Sequence, residues 1–421
     1  RNAWKIIDLR KKILYTILMI IIFRLGSCIP VPLLDPAAMK EIFTSDNSLF
    51  GFIDVISGGA FQNATIFAMS ITPYINSSII MQLLTVAIPA LERLQKQGED
   101  GRKKIAQITR YGTVVLAFIQ AIGLYFMLKS YNAVTNPGLL TAVVVIFTFT
   151  AGTAFLMWLG EQITEKGVGN GISLIIFAGI VSRLPSMAQS LYAYAKGGGI
   201  GLIGVVALLI MIVVVVGLVV MMNEAERRIP VQYAKRVVGR KMYGGQSTHI
   251  PIKVASAGVI PIIFAMSIMS FPSTIAGFFG VTSQTGGFWG GFLKIFSSTS
   301  WVYAILYFLL IIFFTYFYTA IQFNPIEMSN NMKKNGGFIP GIRPGRPTSE
   351  YISKTLSRIT LVGAIFLGLI AILPIFINLG LGINNFAIGG TSLLIVVGVA
   401  LETVKDMESQ MLMRHYKGFL E

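Results

Sequence analysis

"LIGVVALLIMIVVVVGLVVMM", Leu202 to Met222, runs 21 residues without a charged side chain. A helix that crosses the hydrocarbon of a bilayer needs about 20 apolar residues in succession. Lipid offers backbone amides no water to bond, so only a helix or a closed barrel can span it. Valine, leucine and isoleucine follow one another here, without the period-two alternation of a barrel strand. The stretch predicts a membrane helix.

Nine more stretches of similar character flank it, at residues 13–30, 64–89, 111–130, 138–160, 171–185, 255–278, 301–323, 359–379 and 388–405. With 202–222 as the sixth, they make ten candidate spans. The chain has 421 residues, 54% hydrophobic and 12% charged. Ordinary soluble domains carry roughly a quarter charged residues, so the length does not signal a string of soluble domains. The expected fold class is all-α and polytopic.

Lysine and arginine set the orientation, because they accumulate on the cytoplasmic side. With the N-terminus taken as cytoplasmic, inside segments hold 28 of the 34 basic residues and outside loops five; Arg24, within the first span, is the last. The first outside segment is acidic instead, with Asp35, Glu41, Asp46 and Asp54. Both termini are expected in the cytoplasm.

Three inside segments carry most of the charge: 91–110, 223–253 and 324–358. Attraction to anionic lipid accounts for part of it, at about 1 kcal/mol per basic residue near the surface. The two later segments are longer than topology requires, which favours a function of their own. Within the third, "GFIPGIRPGRPTSEY" (Gly337–Tyr351) combines three prolines with three glycines. It reads as a stiffly kinked loop with nothing to build a core, either a spacer or a cationic tip that a partner docks on.

Inside the membrane the chain is polar without being charged. No aspartate, glutamate or histidine lies well inside a span; Glu161 and Glu402 fall near cytoplasmic ends, and His249 and His415 in cytoplasmic segments. That argues against a proton relay, a metal site or catalysis, and no cofactor is expected. Cys28 is the single cysteine, so no intrachain disulfide can form. "GVGNGIS" (Gly167–Ser173) follows a helix and not a strand, so it reads as a turn rather than a nucleotide loop. Span two holds Thr72, Asn76, Ser77, Ser78, Gln82 and Thr85, with Pro73 expected to kink it. These side chains suit either interhelical hydrogen bonds or the lining of a wet cavity. Ile71 and Ile75, like Ile172 and Ile176 in span five, are four apart on one helix face, the spacing of ordinary packing residues. Gly51–Phe61, just before span two, is a weakly amphipathic piece with a Gly58–Gly59 break, fit for a surface helix or for folding back into a cavity. Three classes stay open on these grounds: a passive channel, a sodium-coupled secondary transporter and, more remotely, an intramembrane protease.

The stretches "FLMWLGEQITEKGVGNGISLIIFAGIV", "AGVIPIIFA", "FNPIEMSNNMKKNGGFIPGIRPG" and "GGTSLLIVVGVALE" closely resemble the SecY family of protein-conducting channels. The resemblance runs over essentially the whole chain. It implies two pseudo-symmetric five-helix halves around a central pore, here 1–185 and 186–421. It places a pore ring on Ile71, Ile75, Ile172, Ile176, Ile263 and Ile395, and a plug on Gly51–Phe61, including Gly51, Asp54, Ile56, Gly58 and Gly59. A lateral gate is implied between spans two and seven, with Gln82, Thr85, Gln120 and Ile268. Docking of partners falls on Lys235, Arg236, Arg240, Lys241 and Arg343. The implied partners are the SecE and SecG subunits, the SecA motor, the ribosome, the signal sequence of a secretory preprotein, and anionic lipids. The implied location is the bacterial plasma membrane. In two places the chain departs from the family pattern: Ser70 stands where glycine is usual, and Ala255 where many members carry asparagine.

Overall fold

The computed structural model describes residues 6–35, 57–130, 132–186, 201–233, 236–238, 241–243, 247–255, 257–278, 300–381 and 390–417, with a few isolated positions between them. Ten helices overlap the ten apolar stretches in order. They are α1 (Ile7–Gly26), α2 (Thr72–Ala87), α4 (Glu99–Ser130), α5 (Leu139–Lys166), α6 (Gly171–Ser182), α7 (Gly201–Glu224), α8 (Ile260–Phe278), α9 (Trp301–Gln322), α11 (Arg346–Leu381) and α12 (Gly390–Lys417). Two shorter helices, α3 (Pro89–Lys96) and α10 (Pro325–Lys334), lie between them. By length and composition alone five of these helices can cross a membrane, or six if α2 and α3, bent by 100° at their junction, count as one. α6 and α8 are shorter apolar helices.

Two expectations about span two are corrected. Residues 64–71 are not helical; they form a ladder of tight turns, and the helix begins only at Thr72. Pro73 therefore starts α2 instead of kinking it, since its missing N–H is one that a first turn leaves unbonded anyway. The sharp bend falls at Ile88–Pro89, where the residue before a proline is driven out of the helical region; Ile88 has ψ 112°. Beyond it α3 turns away from the axis of α2.

The three basic connections are more ordered than loops. The first is helical nearly throughout, because Glu, Lys and Arg continue a helix as well as leucine does. An ion pair from Arg110 on α4 to Glu161 on α5, 2.5 Å, ties the two helices at this level. The second connection is a β-hairpin, β1 (Glu226–Tyr233) against β4 (Ser247–Lys253), in register from Glu226↔Lys253 to Gln232↔Ser247. A second hairpin, β2 (Arg236–Val238) with β3 (Lys241–Tyr243), lies between them in sequence. β5 (Gly337–Phe338), from the third connection, adds to β1 and makes a sheet of order β4-β1-β5. So the helical class holds, with a small sheet in the basic connections between helices.

That sheet also corrects the reading of Gly337–Tyr351. Its first two residues are a strand, Ile339 is 3% exposed in a core, and its last six open α11. The core is Ile229, Val231 and Ile252 of the hairpin with Met332, Ile339, Ile352 and Leu356. Second and third connections thus form one platform.

In the membrane, helices pair largely with sequence neighbours: α4 with α5 and α2, α9 with α11 and α8. α12 packs on α6 and on α7, so it joins the first five spans to the last five.

Candidate functional site

The turn before α6 is built as the sequence indicates. Asn170 caps the helix, its side-chain oxygen accepting from the N–H groups of Ile172 (3.1 Å) and Ser173 (3.3 Å). Gly169 takes φ 71°, a conformation that glycine adopts freely. α6 is thereby fixed with Ile176 facing inward at 4% exposure.

Five of the six residues expected in the ring lie together around it. Ile71 (1% exposed), Ile176 (4%) and Ile395 (2%) belong to one buried apolar cluster, with Ile75 and Ile172 partly buried against it. α2, α6 and α12 supply these residues. Ile263 of α8 is half-buried, and among the described residues it is Val259, just before α8, that joins this cluster. Val259 also packs on the large cluster of the later spans, so it stands where the two meet. Sequence reasoning missed it; the signal was its place four residues before Ile263.

The polar residues of α2 divide. The Ser77 hydroxyl donates to the Thr109 carbonyl on α4 at 2.9 Å, an interhelical bond. Thr85 donates back to the Gln82 carbonyl within its own helix at 2.7 Å. Gln82 on α2 and Gln120 on α4 are half-buried, and Ile268 on α8 is exposed at 44%. α8 packs chiefly on α4 and α9, and α2 reaches the later spans through Ile79, buried among Ile262, Ala265 and Met269 of α8. The first spans therefore meet α8 mainly along α4, with Ile79 of α2 in the same apolar cluster.

Of the expected plug, Gly51, Asp54 and Ile56 lie outside the described residues. Gly58 and Gly59 form a turn with φ 68° and 88°. The Arg24 guanidinium donates to the Gly58 carbonyl at 3.0 Å and to the Ser182 hydroxyl at 3.2 Å, so an arginine at the end of α1 holds this turn against the end of α6.

Of the docking residues, Lys235 and Arg240 lie outside the described residues, and Arg236 and Lys241 are known only as members of β2 and β3. Arg343 is exposed between Ile339 and the start of α11. Its own carbonyl accepts from Thr348, 1% exposed, at 2.8 Å, which fixes the backbone that carries the guanidinium. The guanidinium is exposed, and among the described residues no ion pair holds it. On the first connection, the exposed Glu92 carboxylate accepts from Lys96 at 2.6 Å, which lowers its pKa below the usual value.

Among the described residues no group of three or more His, Cys, Asp or Glu could hold a metal ion. Cys28, expected inside an apolar stretch, is exposed just past the end of α1.

Apolar helices around an uncharged aliphatic cluster, with a small sheet in the basic connections, suit a polytopic channel-type membrane protein. The family model SecY matches residues 65–404. A relative from Halalkalibacterium halodurans named "Protein translocase subunit SecY" is 47% identical over all of this chain and 99% of its own length. Relatives of the same name are 48% identical in Streptomyces coelicolor (100% of this chain, 98% of the relative) and 44% identical in Thermotoga maritima (100% and 97%). The chain belongs to the SecY family. The solved structure described as "The structure of a protein conducting channel" has the same fold, with TM-score 0.65 and 19% identity over 96% of this chain and 92% of that one. "Sec61 in the Canine ribosome-channel complex from the endoplasmic reticulum" matches at TM-score 0.62 and 18% identity, with the same coverage. The sodium-coupled transporter finds no support in any of them.

Proposed function

We infer that this chain is the pore-forming subunit of a protein translocase. It passes unfolded secretory polypeptides across the plasma membrane and lets apolar segments leave sideways into lipid. The single observation that carries the reading is the waist: aliphatic side chains from α2, α6 and α12 close on one another without a charge or hydrogen bond between them. A narrow aliphatic constriction holds back water and ions by dewetting. Having no hydrogen bond to satisfy, it also yields to any side chain that is pushed through. The chain is a passive conduit, and a docked partner drives it.

Arg343 and the hairpin tip with Arg236 and Lys241 suit an acidic docking partner, for which a SecA-type motor or the ribosome is the candidate. SecE and SecG are the proposed neighbours in the membrane. Cytoplasmic termini follow from the basic bias, and anionic lipids are the matching surface for the same charge. The halves 1–185 and 186–421 are the proposed moving bodies, with residues 51–61 as the plug. Sideways release is governed by partitioning. About ten Leu-like residues at roughly −0.5 kcal/mol each give about −5 kcal/mol, while one central Arg costs about +3.

Reconstitution in liposomes with motor, ATP and a signal-bearing preprotein tests the reading. Protease-protected preprotein is the expected result, graded by the leucine content of the signal. Movement of a sodium-coupled small solute in place of preprotein would overturn it.

A further inference from the structure

The connection that leads into α2 is bent at two places where a side chain costs energy. Ala64 has φ 48° and Ser70 φ 52°, both in the left-handed region that residues other than glycine avoid. Both are buried, at 0% and 1% exposure. Between them Phe67 is gripped on two sides. Its ring stacks on Phe23 of α1 at 6.1 Å and on Phe155 of α5 at 6.0 Å. The walls of this grip are glycine: a Cβ on Gly26 would sit inside the Phe67 ring, and one on Gly152 would overlap the Ile66 carbonyl. Beyond Ser70, Ile71 precedes a helix stiffened by Pro73 at its start. One strained residue therefore joins a fixed anchor to a rigid rod.

The hydroxyls of this joint are unusual as well. Within the helices, threonines such as Thr113, Thr148, Thr315 and Thr319 donate to the carbonyl four residues earlier. The buried hydroxyls of Ser70 and Thr72 have no partner, a state shared among the described side-chain atoms only by Thr153 and Tyr307. A buried hydroxyl without a partner raises the free energy of the arrangement that contains it.

We propose that Ser70 is the pivot on which α2 swings relative to the anchored Phe67, and that it sets how apolar a signal must be to open the seam between α2 and α8. The proposal rests on the protein-conducting reading given above. In the closed arrangement Ser70 carries two penalties, a left-handed backbone and an orphaned hydroxyl. A swing of α2 that returns Ser70 to a right-handed or extended backbone removes the first. Water entering the parted seam removes the second. The closed channel is thus held less firmly than its apolar contacts alone would hold it, and a weaker signal suffices. Ala64 bears the same backbone penalty on the other side of the anchor, so it does not act on α2.

The test uses full-length protein in liposomes and a signal series of graded leucine content. Ser70→Gly removes both the backbone penalty and the hydroxyl, and Ser70→Ala removes only the hydroxyl. Each should raise the leucine content needed for half-maximal export, and Ser70→Gly should lower the open fraction about fivefold. Ala64→Gly should leave the threshold where it is. Spin labels at the exposed positions Leu84 on α2 and Ile268 on α8 report the open fraction by distance, independently of export. An unchanged threshold and an unchanged distance distribution in both Ser70 variants would overturn the pivot. An equal shift in Ala64→Gly would also overturn it, since the anchor would then not isolate the two sides. A shifted distance distribution in a protein that exports no preprotein, wild type included, would retain the pivot and sink the protein-conducting reading instead.

Discussion

The proposed waist and the platform of sheet and helix are built from the same side chains to opposite ends. Ile71, Ile176 and Ile395 at the waist are as fully buried as Ile229, Val231 and Ile252 in the platform. At the waist Ile71 lies just before α2, Ile176 on α6 and Ile395 on α12, and these residues meet only through apolar side chains. In the platform the three residues sit on two strands of one ladder, β1 and β4, paired through seven successive residues, with a third strand added from another connection. Parting the waist costs apolar contact, which the passing chain replaces. Parting the platform would also break backbone hydrogen bonds, which nothing replaces. Burial alone does not make a region rigid; the backbone bonding behind it does.

The largest effect expected from breaking this comparison is on the rigid side. Arg343→Glu should lower motor-driven export by at least about 30-fold, the size of a ~2 kcal/mol interface hot spot. Arg343 is exposed, so folding should be unaffected, as judged by the thermal melt of purified protein. Normal export in that variant would remove the docking role.

Next comes the platform core. Ile229→Ala should cost about 2–5 kcal/mol of local stability, the usual range for a buried large-to-small change. Hydrogen exchange should then rise in β1, β4 and β5 together, and leave α6 and α12 protected. A rise confined to β1 would mean that the sheet is not one unit.

At the waist, Ile75→Ser combined with Ile176→Ser should let the constriction hold water and raise ion leak through the resting channel. Conductance with and without residues 51–61 checks this, since that segment is the proposed plug. A double variant without 51–61 that stays as tight as wild type would make the isoleucines packing residues only.

The smallest effect concerns Glu92, whose lowered pKa comes first from the Lys96 hydrogen bond. A depressed carboxyl pKa stabilises the helix above the usual value and loses that contribution as pH falls through the depressed one. The pair is fully exposed, so Glu92→Gln should leave export at neutral pH unchanged. A measurable export defect would give α3 a role that its surface pair does not explain.

The sequence made the spans legible because lipid demands about 20 apolar residues whatever else a helix does. It misjudged their ends where charged helix formers carry a helix out of the membrane. α4 begins at Glu99, not at 111, and α11 at Arg346, not at 359. The start of α2 was misjudged for the opposite reason: residues 64–71 are apolar enough for a span, but Phe67 is bound between α1 and α5 and pulls them out of the helix. The platform was hidden because its strands lie in charged segments. The signal was there in "RRIPVQY", where Ile229 and Val231 face inward and Arg228 and Pro230 outward, a period of two. The ring residues were visible only through the family resemblance, because isoleucine pairs four apart occur on any packed helix.

Hydrogen exchange on a channel trapped with a polypeptide inside it, against the same channel empty, tests the central claim most directly. The account predicts faster exchange for residues 65–72 and the facing part of α6, with β1, β4 and β5 as protected as before. Loss of protection in the sheet while residues 65–72 stay protected would contradict it.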